Sequence, residues 1–401
     1  MSSTPNKLPP SHAIPRLVSL DAYRGFTMLA MVSSALGLPH IAKQFPESEF
    51  WQEVGRQFEH VEWVGCSLWD LIQPSFMFIV GVSMAFSYAA REARGDSYGQ
   101  MFRHALGRAV VLTLLGVFLR SDGRGETYWT LEDVLSQIGL GYVFLFLLWG
   151  RGAIVQFAAA AVILIGYWAL FATWPLPGAD FDYQAAGVDP NWEHNLTGFA
   201  AHWNKNTNPA HFFDVWLLNL FPRSKPFLYN GGGYQTLSFI PSLATMIFGL
   251  LAGELLRSNR SAGQKIAILL VAVVAGLASG WALDHFGYCP IVKRIWTPSW
   301  ALFSTGWALL FLALFYLVID VWKFQWWAWP GVIVGMNSIA IYVAKEAADG
   351  WIHKTLQTHL GPDVFKLFGE TYEPLAQRLA VLVVLWLMCW WMYRRRIFIR
   401  I

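Results

Sequence analysis

The chain of 401 residues is 55% hydrophobic and only 14% charged, with a mean hydropathy of +0.40. These values exclude an ordinary water-soluble domain, and the abundance of Leu, Ile, Val and Trp excludes a disordered chain. The net charge of +3 and the scatter of the basic residues exclude a nucleic-acid-binding surface. The three cysteines are far apart and form neither a CxxC pair nor a disulfide framework. The composition therefore predicts that the chain folds in a lipid bilayer.

Ten stretches of the sequence lack Asp, Glu, Lys and Arg. A helix needs about 20 residues to cross a hydrocarbon core of about 30 Å, and two short stretches reach this length only if their flanking arginines extend to the interface. The stretches are residues 25–42, 71–90, 109–119, 134–150, 152–179, 226–253, 266–283, 295–319, 324–344 and 379–393. We therefore predict an all-α, polytopic membrane protein with about ten transmembrane helices, built as one domain over residues 1–401.

The distribution of charge predicts the side that each loop faces. With a cytoplasmic N-terminus, the inner segments hold sixteen basic and five acidic residues, whereas the outer segments hold thirteen basic and twenty-one acidic residues. Basic residues favour the cytoplasmic side, and an even number of spans places both termini there. The long outer loop then lies at about 174–235. The first fifteen residues are polar and proline-rich, so we expect no cleavable signal and expect the first apolar helix to direct insertion.

The segment FEHVEWVGCSLWDLIQPSFMFIVGVS, residues 58–83, combines a histidine with an acid inside a predicted span. An acid in a span is costly, so its default interpretation is functional. His60 is a candidate base, because imidazole titrates near neutral pH and the Asp70 carboxylate can fix its tautomer. A straight helix would separate the two residues by about 15 Å, so a contact requires the chain to turn, and we expect this turn around Gly65. In the alternative interpretation, His60 caps an interfacial helix and Asp70 pairs with an arginine of another span.

Other polar and aromatic residues have both structural and functional interpretations. Asp21 and Arg24 can form a local ion pair at the start of the first span, or Arg24 can face the diphosphate of a nucleotide ligand. Asn337 is either a hydrogen-bond partner between helices or a substrate contact. Trp203 and Trp216 of the long outer loop suit a sugar ring but also suit a loop anchored at the bilayer. The histidines of this loop match no zinc spacing, and no metal is expected.

Five motifs in chain order resemble one family of membrane enzymes. They are RLVSLDAYRGFTMLAMV, HVEWVGCSLWDLIQPSFMFIVGVS, GGGYQTLSFIPSLATMIFGLLAGELL, PIVKRIWTPSWALFSTG and GMNSIAIYV, and they fall between residues 16 and 343. Together they resemble the heparan-α-glucosaminide N-acetyltransferase family and its bacterial relatives. The histidine motif with its downstream WxG and DLxxP is the specific part, whereas the LDxxRG start is shared more widely among membrane acyltransferases.

The resemblance implies an acyltransferase that moves an acetyl group from cytosolic acetyl-CoA, its co-substrate, to an amino sugar or glycan on the far side of the membrane. His60 matches the catalytic histidine of the family, and Asp70 matches the acid ten residues further on. His60 would act as a base or carry the acetyl group itself. We expect Arg24 on the side of the CoA. The residues expected to contact the acceptor are Trp63, Trp203, Trp216 and Asn337.

Departures from the family pattern leave the acceptor open. Ala35 replaces a usual asparagine, and Gln137 replaces a usual arginine. A rival interpretation is a proton-coupled secondary transporter with a midplane site of Asp70, Gln73 and Asn337; a further one is a catalytically idle relative that acts as a scaffold. The lack of a signal and of dense cysteines favours a bacterial inner membrane, and a homo-oligomer is compatible with the sequence.

Overall fold

The computed structural model describes residues 17–399, and the regular structure in this range is helical. The α-helices are α1 (Val18–Val32), α2 (Leu38–Ala42), α3 (Glu49–Phe58), α4 (Ile72–Ala93), α5 (Tyr98–Arg120), α6 (Val134–Leu148), α7 (Ala153–Ala172), α8 (Pro209–Leu218), α9 (Phe239–Arg257), α10 (Ala262–His285), α11 (Pro298–Phe315), α12 (Trp329–Gly335), α13 (Ser338–Leu360) and α14 (Glu373–Arg394). Within residues 17–399 the β structure is limited to an isolated bridge between Val64 and Val292. The all-α prediction is confirmed.

Seven helices in the described range are long and apolar enough to cross a membrane, and an eighth span results if Val18–Val32 and Ser34–Ala42, bent by 47°, form one. The seven are Trp69–Ala93, Tyr98–Arg120, Ala153–Ala172, Thr236–Arg257, Ala262–His285, Pro298–Val321 and Glu370–Arg394. Ten spans are therefore not confirmed. Residues 134–150 give only the 15-residue α6, and residues 324–344 are divided between α12 and α13.

The orientation in the membrane stays a prediction, because no membrane is part of the structure. The expectation that the first fifteen residues hold no signal lies outside the described residues.

Polar side chains define where several of the apolar helices begin. Capping boxes of Ser97 with Gln100 and of Ser261 with Gln264 start α5 and α10. Asp133 starts α6 by accepting hydrogen bonds from two backbone N–H groups.

The helices α4 and α9 pack closely against each other at the centre of the molecule. A Cβ at Gly81 would overlap the Met246 carbonyl group, and one at Gly249 would overlap the Phe78 carbonyl group. Glycines allow helix backbones to approach closely in a membrane. By contrast, few of the apolar side chains of α7 and α10 are buried. The 22 residues of α4 rise about 33 Å, so this helix is long enough to cross a hydrocarbon core.

Candidate active site

The segment between α3 and α4 turns back on itself instead of continuing a helix. Gly65 has a φ of +121°, a backbone conformation that favours glycine. Its N–H donates to the Ile291 carbonyl at 2.9 Å, next to the bridge between Val64 and Val292. The turn therefore brings the histidine and the acid of the same motif together and docks them on the loop between α10 and α11.

The structure places His60 in direct contact with Asp70. The distance from His60 Nδ1 to Asp70 Oδ1 is 2.7 Å. The Asp70 side chain is 1% exposed, whereas the His60 side chain is 40% exposed. A buried carboxylate at this distance holds the ring proton on Nδ1. No residue in the range 17–399 hydrogen-bonds to Nε2, so the lone pair of this nitrogen has no protein partner there.

The second oxygen of Asp70 is held by its own motif. Oδ2 accepts from the Ser67 N–H at 3.1 Å and from the Val61 N–H at 3.3 Å, and the Ser67 hydroxyl lies 2.9 Å away. Hydrogen bonds to the charged form stabilise a buried carboxylate. These hydrogen bonds therefore fix the orientation of the Asp70 side chain and stabilise its charged form.

Two basic residues of the PIVKRIW motif complete the site, and the sequence analysis assigned them no role. Lys293 Nζ lies 3.1 Å from Asp70 Oδ1 and 3.0 Å from His60 Nδ1, and the Lys293 side chain is 5% exposed. Arg294 donates to the carbonyls of Gly232 and Val61 at 2.8 and 3.2 Å. The expected arginine partner of Asp70 is thus a lysine from a loop. The available signal was a pair of adjacent basic residues in a loop that the distribution of charge assigns to the more acidic side of the membrane.

The surroundings favour a neutral imidazole. Burial lowers the pKa of His60, the hydrogen bond to Asp70 raises it, and the positive charges of Lys293 and Arg294 lower it again. Burial also lowers the pKa of Lys293, while Asp70 opposes that change. Burial raises the pKa of the nearby Cys66 thiol to about 12, so this thiol is a poor nucleophile beside the imidazole.

The structure places Arg24 against the middle of α4, beside Ser83. Arg24 lies 4.0 Å from Asp21, which is the local ion pair of the simpler interpretation. It also donates to the Gly335 carbonyl at 3.2 Å and to the Ser83 hydroxyl at 2.8 Å. Arg24 is thus held between α1, α4 and α12, well separated along α4 from the end that carries Asp70.

A cavity of about 500 Å³ extends from Arg24 along α4. Its basic end is lined by Arg24, Arg91, Arg94, His104 and Arg108. Its apolar walls continue along α4 as far as Phe76. Phe76 is six residues from Asp70, a rise of about 9 Å on a helix. The cavity therefore leads from the basic end of α4 toward the His60 end.

The structure buries three of the four residues expected to contact an acceptor. Trp63 and Trp203 are 1% and 0% exposed, and the Trp63 Nε1–H donates to the Trp203 carbonyl at 3.0 Å. These two residues belong to a hydrophobic cluster that includes side chains of the loop between α10 and α11 and present no face to a sugar. Asn337 is buried and its amide hydrogen-bonds to the backbone of Ile397 and Ile399. Trp216 is 59% exposed on α8 and makes no hydrogen bond to His60, Asp70 or Lys293.

Within residues 17–399, no three His, Cys, Asp or Glu side chains are grouped as metal ligands. The fold and the site together define a polytopic helical membrane protein. It carries a His–Asp–Lys centre suited to proton transfer at one end of a central helix and a basic cavity at the other.

Comparisons with known proteins agree with the motifs. The family model described as heparan-alpha-glucosaminide N-acetyltransferase, catalytic, matches residues 16–179, which include His60 and Asp70. The heparan-alpha-glucosaminide N-acetyltransferase of Homo sapiens is 25% identical over 432 residues, which cover 96% of this chain and 60% of that protein. The Mus musculus protein of the same name is 24% identical over 430 residues with the same coverage. The chain thus spans about 60% of the length of these relatives, and the resemblance inferred from the motifs is confirmed.

Proposed function

We propose that the protein is a transmembrane acetyltransferase. It moves an acetyl group from cytosolic acetyl-CoA to an amino sugar or glycan acceptor on the extracytoplasmic side, in the inner membrane of a bacterium. The observation that carries the proposal is the 2.7 Å contact between His60 Nδ1 and Asp70 Oδ1, which leaves the Nε2 lone pair for chemistry within the segment that the catalytic family model matches. A buried carboxylate, an oriented imidazole and an open ring nitrogen are the parts that acyl transfer requires.

The centre supports two routes for the same overall reaction. In the first, Nε2 accepts a proton from the acceptor amine or hydroxyl as that group attacks the thioester carbonyl, and the CoA thiolate leaves with the proton that the imidazolium returns. In the second, Nε2 attacks the thioester, forms an acetyl-imidazole and releases CoA before the acceptor takes the acetyl group. In both routes Asp70 holds the Nδ1 proton and stabilises the positive charge that develops on the ring.

The cavity along α4 supports a donor with an anionic head and a long, narrow arm. Guanidinium groups bind phosphates well, and Arg24, Arg91, Arg94 and Arg108 surround its basic end. Its apolar continuation toward Phe76 suits an extended chain that carries the acyl group to the far end of α4. Acetyl-CoA combines these features, so Arg24 is proposed on the phosphate side and His60 at the acyl end.

The test uses the purified protein in detergent, labelled acetyl-CoA and a panel of amino sugars. We expect labelled product from the native protein and a loss of at least about 100-fold in His60→Ala, because removal of a general base or nucleophile typically costs this much. His359→Ala is the matched control, since His359 is exposed at the end of α13. Both variants must keep the native melting temperature.

Two results would contradict the proposal. A folded His60→Ala variant with native activity would exclude His60 from the chemistry. Uptake of an unmodified solute by vesicles, with no acetylated product, would favour the transporter, in which Asp70 and Gln73 would bind the proton or the solute.

A separate measurement distinguishes the two chemical routes. Exchange of labelled CoA into acetyl-CoA without an acceptor would select the acetyl-imidazole route over direct transfer.

A further inference from the structure

Lys293 makes the His60–Asp70 pair an unusual three-membered group. Its ammonium lies 3.1 Å from Asp70 Oδ1 and 3.0 Å from His60 Nδ1, while Nδ1 itself lies 2.7 Å from the same carboxylate oxygen. An ammonium group has only donors. If Nδ1 carried no proton and accepted a hydrogen bond from Lys293, its lone pair would also lie 2.7 Å from the Asp70 carboxylate, with no proton between the two acceptors. The proton therefore lies between Nδ1 and Oδ1, and Lys293 donates to Asp70.

We propose that Lys293 is a positioning residue that keeps His60 neutral, with its proton on Nδ1 and its lone pair on Nε2. This inference rests on the proposed function only for its catalytic consequence. With Lys293 charged, the pair of Asp70 and Lys293 is neutral overall, and a proton added to His60 meets a cation 3.0 Å away. Without Lys293, the imidazole would face an uncompensated carboxylate, which favours its protonated form.

The other charged groups around the ring leave Lys293 as the decisive one. The groups whose charges act on His60 are Asp70, Lys293 and Arg294. Arg294 is committed to two backbone carbonyls. Cys66 stays neutral, because burial raises the pKa of its thiol to about 12. Lys293 is thus the cation in direct contact with the ring, and its 3.1 Å ion pair with Asp70 opposes the effect of burial on its charge.

The experiment measures the protonation of His60 without requiring turnover. Diethyl pyrocarbonate modifies neutral imidazole, and mass spectrometry of the peptide that contains His60 gives its modification rate as a function of pH. The variants are Lys293→Met, which removes the charge and keeps the chain length, and Lys293→Arg, which keeps the charge. Lys225→Met is the control, because Lys225 is an exposed lysine of an outer loop with no contact to His60.

We expect the midpoint of modification to rise by at least about one pH unit in Lys293→Met and to stay unchanged in Lys293→Arg and Lys225→Met. The acidic limb of the acetyl-transfer rate should move by the same amount, mainly in kcat. An unmoved or lowered midpoint in Lys293→Met would overturn the proposal. If the native protein transfers no acetyl group, the proposed function fails, while the modification midpoint still decides the role of Lys293.

Lys293→Met leaves Asp70 buried without its cation and risks misfolding. Lys293→Gln, which removes the charge but keeps a side-chain donor for Asp70, is the second test. We expect its midpoint to rise above that of the native protein, because the cation that repels a proton from His60 is gone. An unmoved or lowered midpoint in a folded Lys293→Gln variant would overturn the proposal as well.

Discussion

Asp214 and His211, one helical turn apart on α8, are buried titratable residues that the proposed chemistry does not use. Burial raises the pKa of Asp214 to about 7, and burial lowers the pKa of His211 to about 4. Asp214 Oδ2 accepts from the Thr236 N–H at 2.9 Å, so the residue ties α8 to the start of the span at Thr236. Their ordinary pKa values lie near 3.8 and 6.5, so the two residues affect stability in opposite directions as the pH changes.

The direction in which Asp214 changes the stability with pH follows from proton binding. Between about pH 4 and 7 the folded state holds a proton on Asp214 that the unfolded state has lost, so its contribution to stability falls as the pH rises. At about 1.4 kcal/mol for each pKa unit, the upper limit is about 4 kcal/mol. We predict that Asp214→Asn gains stability relative to the native protein on going from pH 5 to pH 8, and thermal unfolding in detergent measures this.

The histidine acts in the opposite sense and makes the test specific. His211 contributes stability that rises between about pH 4 and 6.5, because there the unfolded state binds the proton. The native protein should therefore show a shallow pH dependence, and Asp214→Asn a rising one. Asp122→Asn, at an exposed position, should follow the native curve. If Asp214→Asn and the native protein differed in stability by the same amount at pH 5 and at pH 8, Asp214 would not titrate in this range.

At the scale of helices, the contact between α4 and α9 positions the candidate site, because α4 continues directly from Asp70. A methyl group at Gly81 would overlap the Met246 carbonyl group, so Gly81→Ala must push the helices apart. We expect a loss of about 1–3 kcal/mol in stability, as for other overpacked cores, together with reduced acetyl transfer.

Gly166 of α7 provides the control for this helix contact, since a Cβ there meets no atom within 4 Å. Gly166→Ala should be neutral or stabilising by up to about 1 kcal/mol, because alanine is the better helix former. Thermal unfolding of both variants in the same detergent measures the difference. If Gly81→Ala and Gly166→Ala had equal melting temperatures, α4 and α9 would be able to separate slightly at Gly81 without a loss of stability.

The sequence predicts local features of these elements better than long-range ones. The apolar stretches, the turn near Gly65 and the pairing of His60 with Asp70 follow from residues close together in the chain. Lys293 is separated from Asp70 by 223 positions, so no spacing rule connects them. Trp63 is equally suited by type to a sugar or to a core, and only the packing of distant loops places it in the core.

The number of spans shows a second limit, because a stretch without charge is not always one helix. Residues 324–344 carry no charged side chain, yet Asn337 adopts φ −132° and ψ 35° between α12 and α13. Its amide then binds the backbone of Ile397 and Ile399, contacts that a pattern of hydropathy does not contain. Composition predicts the membrane, but tertiary hydrogen bonds decide where the helices break.

At the scale of the whole molecule, the proposed function requires the two ends of α4 to face opposite sides of the membrane. The distribution of charge predicts that the basic end faces the cytoplasm, where acetyl-CoA is available. The loop 121–133 follows α5 at the His60 end, and the loop 258–261 follows α9 at the basic end. Single cysteines in these two loops therefore report the orientation directly.

We predict that an impermeant maleimide labels Thr127→Cys in intact cells but labels Asn259→Cys only after the membrane is opened. Both positions are exposed. Cys289 and Cys389 are buried, and Cys66→Ser removes the remaining background. The reversed pattern would put the basic cavity outside the cell and the His60 centre inside. Cytosolic acetyl-CoA could then reach His60 without entering the cavity, and the proposed transfer across the membrane would lose its physical basis even if the His60–Asp70–Lys293 chemistry were correct.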